Sequence, residues 1–287
     1  MIGPANRLNS LFIASVHVVA FAALGWSIVH PPRWETVALA ATWYWCSGIS
    51  ITGGYHRLFS HRSYRCRPPV SLFYLLFGAA AVQNSALTWA SDHRRHHADT
   101  DGDTDPYDAR RGLWWSHIGW VFRDDPARDY TNVRDLAADR LIAWQHRWYF
   151  PVAIGMAVGA PALVALAWGD PAGGALWAGA IRLVAQYRST FAINSVAHRF
   201  GRQPYTADTS ARDNVLVAFL TMGEGYHNFH HRFPSDYRNG VRWFNYDPTK
   251  WLVSGLATVG LTSELKRVSR DAVARARHER AASRQHV

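Results

Sequence analysis

Three clusters of histidines carry the clearest chemistry in this chain. His93-Arg94-Arg95-His96-His97 places imidazoles at i, i+3 and i+4, the spacing of one helix face. His227-Asn228-Phe229-His230-His231 repeats the form, and His56 and His61 follow an apolar run. Eight imidazoles exceed the four ligands of a tetrahedral zinc. They suit two metals, and imidazole serves iron, zinc or copper. His56 and His61 are five apart, so an ideal helix would splay them and the helix must end or distort between them. Neutral imidazoles need partners that fix each tautomer; Glu224 and Asp92, beside the boxes, are the candidates. His17, His30, His117, His146, His278 and His286 stand alone and read as ordinary core or surface side chains.

Asp99, Asp101, Asp103 and Asp105 alternate in a way that invites a calcium loop. The sixth position is Thr104 where such a loop needs glycine, and the twelfth is Arg110 where it needs glutamate. The run is therefore a polar loop closed by Asp105-Pro106. Arg110-Arg111 fits either an anion contact or a solvated basic pair. The two cysteines, Cys46 and Cys66, give neither a disulfide framework nor a thiolate metal site, and both should be unbridged.

The net charge is +10 and the mean hydropathy −0.17. That average hides an alternation of apolar and strongly charged segments. The arginines are spread over two long polar regions rather than gathered in one nucleic-acid motif, so no nucleic-acid partner is expected. Fourteen tryptophans suit membrane interfaces. Scarce lysine beside abundant arginine and alanine points to a GC-rich bacterial genome.

Four apolar runs, about 11–29, 37–53, 150–168 and 175–196, are long enough to approach or span a bilayer. The first reads as a span rather than a cleaved signal peptide, because no cleavage site precedes a soluble domain. Tight turns at 30–34 and 169–174 join them in pairs. A further apolar helix over about 70–90 carries Gln83, Asn84, Ser85 and Thr88, and lying in the interface it keeps His93 on the same side as His56. Arg182 and Arg188 inside the fourth run should face protein or a cavity. That run delivers Asn194 and His198 at i, i+4, which makes His198 a ninth candidate ligand. Four spans put both termini, the polar regions and all nine histidines on one side. The opposite turns hold only Arg33 among basic residues, so that side is cytoplasmic. The expected fold is an all-α membrane protein, one domain over residues 1–287, with a cytoplasmic helical cap and a basic tail at about 266–287.

The residues around these boxes carry a resemblance. TGGYHRLFSHRSY at 52–64, WASDHRRHH at 89–97, Asp105-Pro106, RRGLWWSHIGW at 110–120, NSVAH at 194–198 and GEGYHNFHH at 223–231 are similar to the acyl-lipid desaturases of the stearoyl-CoA desaturase type. The likeness covers roughly residues 10–260. It implies two iron ions held by His56, His61, His93, His96, His97, His198, His227, His230 and His231, with Asn194 holding a water near one iron. It also implies a bent substrate tunnel shaped by Gln83, Trp89 and Thr190 and closed near Tyr44 and Gly48. Asn84 and Asp92 match contacts to CoA. Ser91 stands where the family has a basic residue, Phe191 where it has tryptophan, and Asp124 near a further basic position, so a carrier-protein ester or a glycerolipid stays open as the substrate.

The implied reaction is an O2-dependent cis desaturation, at carbon nine, of a long saturated acyl thioester. The chain has no haem, flavin or iron–sulfur motif, so a separate donor of the ferredoxin, rubredoxin or cytochrome b5 kind, with its reductase, must bring electrons. A di-iron hydroxylase is the nearest enzyme alternative. A metal-handling membrane protein is the alternative from another class, but a transporter should hold its ligands near the bilayer midplane, whereas these histidines cluster at the ends of spans.

Overall fold

The computed structural model describes residues 3–126 and 128–285; His286 and the last residue of the expected tail lie outside the described residues. The chain is mostly helical, with one short antiparallel pairing of β1 (Arg65–Cys66) and β2 (Thr262–Ser263). Helix α1 runs Arg7–Val29. The Asn6 side chain caps it by accepting from the Asn9 amide at 2.8 Å. It stops at His30, before two prolines that lack a backbone N–H.

Two helices are long and apolar enough to cross a bilayer, Arg7–Val29 and Tyr149–Trp168. Both turn large apolar side chains outward; Ile28 is 84% exposed and Leu163 69%. The other two expected runs are helical as well, Trp34–Ile49 and Arg182–Arg199, each joined to a π-helical stretch. The second of these carries two arginines that lower its hydropathy. Arg182 is buried and donates to the carbonyls of Ala178, Ala80 and Ala157, as expected of a charge placed there. Arg188 departs from that expectation. It is exposed and donates to His17 Nε2 at 2.8 Å.

Helix α2 (Trp34–Ile49) continues without a break into the π-helix Ser50–Ser60. This is the distortion that the His56/His61 spacing demands. The His61 amide bonds to the His56 carbonyl at 3.1 Å, an i→i+5 link, and the wider turn stacks the two histidines one above the other. Reciprocal seats fix this segment against α3 (Pro68–Ala80). The Tyr74 ring lies where a Cβ on Gly54 would be, and the Tyr55 ring lies where a Cβ on Gly78 would be, 2.5 and 2.3 Å from the nearest ring or side-chain atom. Alanine at either glycine would force a ring out of place, at a cost of about 1–3 kcal/mol.

The single helix expected over 70–90 is two helices. Helix α3 ends at Ala80, and α4 runs Ala86–Ala98 and carries the first histidine box. Val82 and Asn84 between them have positive φ, a conformation that asparagine tolerates. Ser85 then caps α4 by accepting from the Thr88 amide. The break falls on the polar residues Gln83, Asn84 and Ser85, which the expected helix takes into its interior. The basic tail is also ordered, as the helix Arg270–Gln285. Val273 and Ala276 are buried, Val273 packs beside Phe229 and Tyr205, and Arg277 donates to the Tyr205 hydroxyl at 2.7 Å.

Candidate metal centre

Nine imidazoles meet in two groups. His56, His61, His93, His97 and His230 form one, and His96, His198, His227 and His231 the other; within each group the candidate ligand atoms all lie within 4.8 Å of one another. The boxes do not each present a single face. His93 and His97 go to the first group and His96 to the second, while His227 and His231 go to the second and His230 to the first. At ~100° per residue, i+4 falls about 40° past i and i+3 about 60° short of it. Each box therefore points at two neighbouring centres.

The tautomers are set by partners on the far side of several rings. His56 Nδ1 lies 2.7 Å from Glu224 Oε2, and His96 Nδ1 2.8 Å from Asp105 Oδ1. His198 Nδ1 meets Ser210 Oγ at 2.7 Å, and the Ser210 hydroxyl donates in turn to Asp101. Protons held on Nδ1 leave the Nε2 lone pairs facing inward. Burial first, and neighbouring imidazoles after it, hold His61, His93, His97, His227, His230 and His231 well below the usual histidine range. Burial and His96 bring His198 down to about 4. These rings are neutral near pH ~7, as metal ligation requires.

The Nε2 atoms lie too close to be left facing one another. His230 Nε2 is 2.9 Å from both His56 Nε2 and His97 Nε2, and His61 Nε2 is 2.8 Å from His93 Nε2. In the second group His227 Nε2 is 3.0 Å from His198 Nε2 and 3.1 Å from His231 Nε2, with His96 to His231 at 3.4 Å. Ligands bonded at ~2.0–2.1 Å to one ion sit about 2.9–3.4 Å apart. The residues present fit a metal ion in each group.

Buried ion pairs lock the elements that carry these rings. Arg57, 1% exposed, pairs with Glu224 at 2.9 Å and Asp247 at 3.0 Å and donates to the Tyr237 carbonyl. Against burial, which pushes its carboxyl up, His56 and Arg57 hold Glu224 below the usual range. Arg94 donates to the carbonyls of Phe59, Ser60 and Asn132 and pairs with Asp135, which ties α4 to the end of the π-helix. Removing one partner of the buried Arg57–Glu224 or Arg57–Asp247 pair costs about 3–5 kcal/mol, whereas Asp135 is exposed and its pair with Arg94 contributes less.

Some expected roles change. Asp92 meets Arg128 and Arg95 rather than a histidine, so its carboxylate is neutralised by arginine. Arg110 and Arg111 both turn to Asp108, an internal pairing rather than an anion site. The loop read as merely polar instead supplies Asp105 and Asp101, the supports of His96 and of Ser210. The only available signal was position, since Asp105 follows the first box by less than ten residues. Of the isolated histidines, His17, His117 and His146 hydrogen-bond ordinary neighbours and His30 stacks on Trp26. Both cysteines are free.

One cavity reaches both groups. His56 and His93 of the first and His96 and His227 of the second line it, together with Asn194. The five residues expected to shape or close a substrate tunnel, Tyr44, Gly48, Gln83, Trp89 and Thr190, line it too, as do Asn84 and Asp92, expected as contacts to CoA. Gln83 donates to the Thr190 hydroxyl at 3.1 Å, and Trp89 stacks on His93 with ring centroids 4.8 Å apart. A Cβ on Gly48 would meet the Met222 thioether at 2.7 Å, so Gly48 faces both the cavity and a flexible side chain.

A family model described as "Fatty acid desaturase" matches residues 32–260. The chain is 42% identical over 272 residues to "Acyl-CoA desaturase 1" of Saccharomyces cerevisiae, covering 93% of this chain and 53% of that one. It is 35% identical over 274 residues to "Delta(9)-fatty-acid desaturase fat-7" of Caenorhabditis elegans (93% and 81%). It is 36% identical over 283 residues to "Stearoyl-CoA desaturase 2" of Mus musculus (94% and 78%). The chain thus spans about half the length of the yeast relative and about four-fifths of the other two.

Proposed function

The chain belongs to the fatty acid desaturase family, and from that premise we propose that it inserts a cis double bond at carbon nine of a long saturated acyl-CoA. The observation that carries this reading is the shared cavity, walled by imidazoles from both groups and by the residues expected along the tunnel and at the CoA end. The names of the worm and mouse relatives support carbon nine and the CoA ester.

Two iron ions bound by the nine histidines would supply the O2-dependent oxidation of an unactivated methylene. The overall change balances when two hydrogens leave adjacent carbons, a donor protein adds two electrons with two protons, and O2 ends as two waters. The chain's own residues bind and orient. Gln83, bonded to Thr190, and Trp89, stacked on His93, bend the cavity beside the imidazoles. That bend selects which methylene approaches and favours a cis geometry. Its apolar walls exclude water from the reacting carbons. Asn194, one turn before His198 and open to the cavity, orients a water beside the four-histidine group.

The same reading gives the chain four spans and a single integral-membrane domain, with the cap, both termini and the histidines on the cytoplasmic side of the membrane. The outward apolar side chains of Arg7–Val29 and Tyr149–Trp168 support it, as does the exposed apolar patch of Val215, Leu216 and Phe219 on the cap. Electrons come from a separate ferredoxin, rubredoxin or cytochrome b5-like donor. The test is expression in a host unable to make unsaturated fatty acids, with chromatography of total lipids. A new monounsaturated acid with its double bond at carbon nine is the expected product. An alcohol instead of an alkene would move the reading to a hydroxylase.

A further inference from the structure

In the wall of the cavity stands a side chain that hydrocarbon cannot satisfy. Gln186 is 2% exposed and lines the cavity beside Gly48 and Met222. It lies eight residues before Asn194 on the helix Arg182–Arg199, about 12 Å at ~1.5 Å per residue. Its Oε1 accepts from Ser47 Oγ at 2.6 Å and from Arg182 Nη1 at 3.3 Å. A guanidinium can only donate, so Arg182 fixes which end of the amide faces it. The NH2 end is turned the other way, and the absent Cβ of Gly48 would lie 3.9 Å from Nε2. Among the described residues no acceptor meets Nε2.

Arg182 cannot easily release this arrangement, because its guanidinium is itself held by the carbonyls of Ala178, Ala80 and Ala157. The amide is a fixed, buried donor aimed into a cavity whose neighbouring wall has room to give. Gly48 has no side chain, and the Met222 thioether is flexible.

We propose that Gln186 determines chain-length specificity by polarity rather than by bulk. This rests on the acyl-desaturase reading. A methyl end that reaches Gln186 displaces water from Nε2 and returns no acceptor, and a buried donor left without a partner is disfavoured. A chain of the same length that ends in a hydroxyl supplies the acceptor. The residue therefore rejects long plain chains and admits long chains with an oxygen at the far end.

The experiment uses the whole protein in membranes with a ladder of saturated acyl-CoAs, each offered with a methyl end and with a terminal hydroxyl. Alkene products are measured against inserted protein and iron content. The expected wild-type result is a chain length at which the methyl-ended substrate falls about tenfold below its hydroxyl-ended twin, a ratio equivalent to ~1.4 kcal/mol. Gln186→Leu should erase that ratio and extend the accepted plain chain, with Gln186→Met as the size-matched second variant. The comparison of the two chain ends needs no variant, so a folding defect does not protect the proposal. Equal treatment of methyl and hydroxyl ends by wild type, with a length limit still present, overturns it and assigns the limit to bulk. No alkene from any thioester, in protein that holds its metal, overturns the desaturase reading and this inference with it.

Discussion

The two imidazole groups share two helices yet are built unequally. The first takes five rings: His56 from the π-helix and His61 just past its end, His93 and His97 from α4, and His230. The second takes four, and His198 is the only one that its own helix adds. Around the first, Arg57, Arg94 and Glu224 knit buried ion pairs and carbonyl bonds between three parts of the chain. Around the second, support comes from Asp105 and from a neutral hydroxyl, Ser210. Asn194 lines the cavity on the same helix as His198. The difference teaches that the second group has fewer rings in reserve than the first, and that its helix also presents an amide, Asn194, to the cavity.

The largest effect should come from removing one ring from each group. His97→Ala and His231→Ala are both expected to abolish desaturation while the protein stays in the membrane. Their metal contents should differ. Four imidazoles remain in the first group and only three in the second, so His231→Ala should fall toward one iron per chain and His97→Ala should stay closer to two. Elemental analysis of the purified variants decides this, and equal losses would remove the asymmetry.

Next come the carboxylates behind the rings. Asp105→Asn and Glu224→Gln are each expected to weaken metal affinity or activity by about ten- to a hundredfold. Asp105→Asn should be the worse for metal retention, because the four-ring group has fewer rings in reserve. Competition with a chelator at fixed pH ranks the two. A larger metal loss in Glu224→Gln than in Asp105→Asn would contradict the ranking.

Asn194→Ala should act on turnover rather than on metal content, since a contact through water positions more than it anchors. Parallel loss of iron and rate would show instead that the amide helps assemble the site. The smallest effect is expected for Ser210→Ala. One neutral hydrogen bond to His198 contributes about 0.5–1.5 kcal/mol, or about two- to tenfold. A variant with no measurable activity would mean that the Ser210–Asp101 link does more than hold a tautomer.

The sequence by itself determined which histidines belong together as candidate ligands, because histidine spacing on a helix is local geometry. It also determined that the backbone must distort between His56 and His61, since an α-helix cannot stack residues five apart. The apolar runs were legible for the same local reason, as was the helical pair Asn194 and His198. Only the tertiary structure decided how the rings divide. The few tens of degrees between i+3 and i+4 matter only when a second helix stands opposite to make two centres. It alone divided the expected helix over 70–90, because positive φ at Val82 and Asn84 leaves no mark on hydropathy. The partners of the rings were equally hidden. Asp92 sits beside its box yet turns to arginines, while Asp105 and Ser210, outside the boxes, reach His96 and His198. A side chain's partner is fixed by which elements pack against it, and that packing joins residues far apart in the chain.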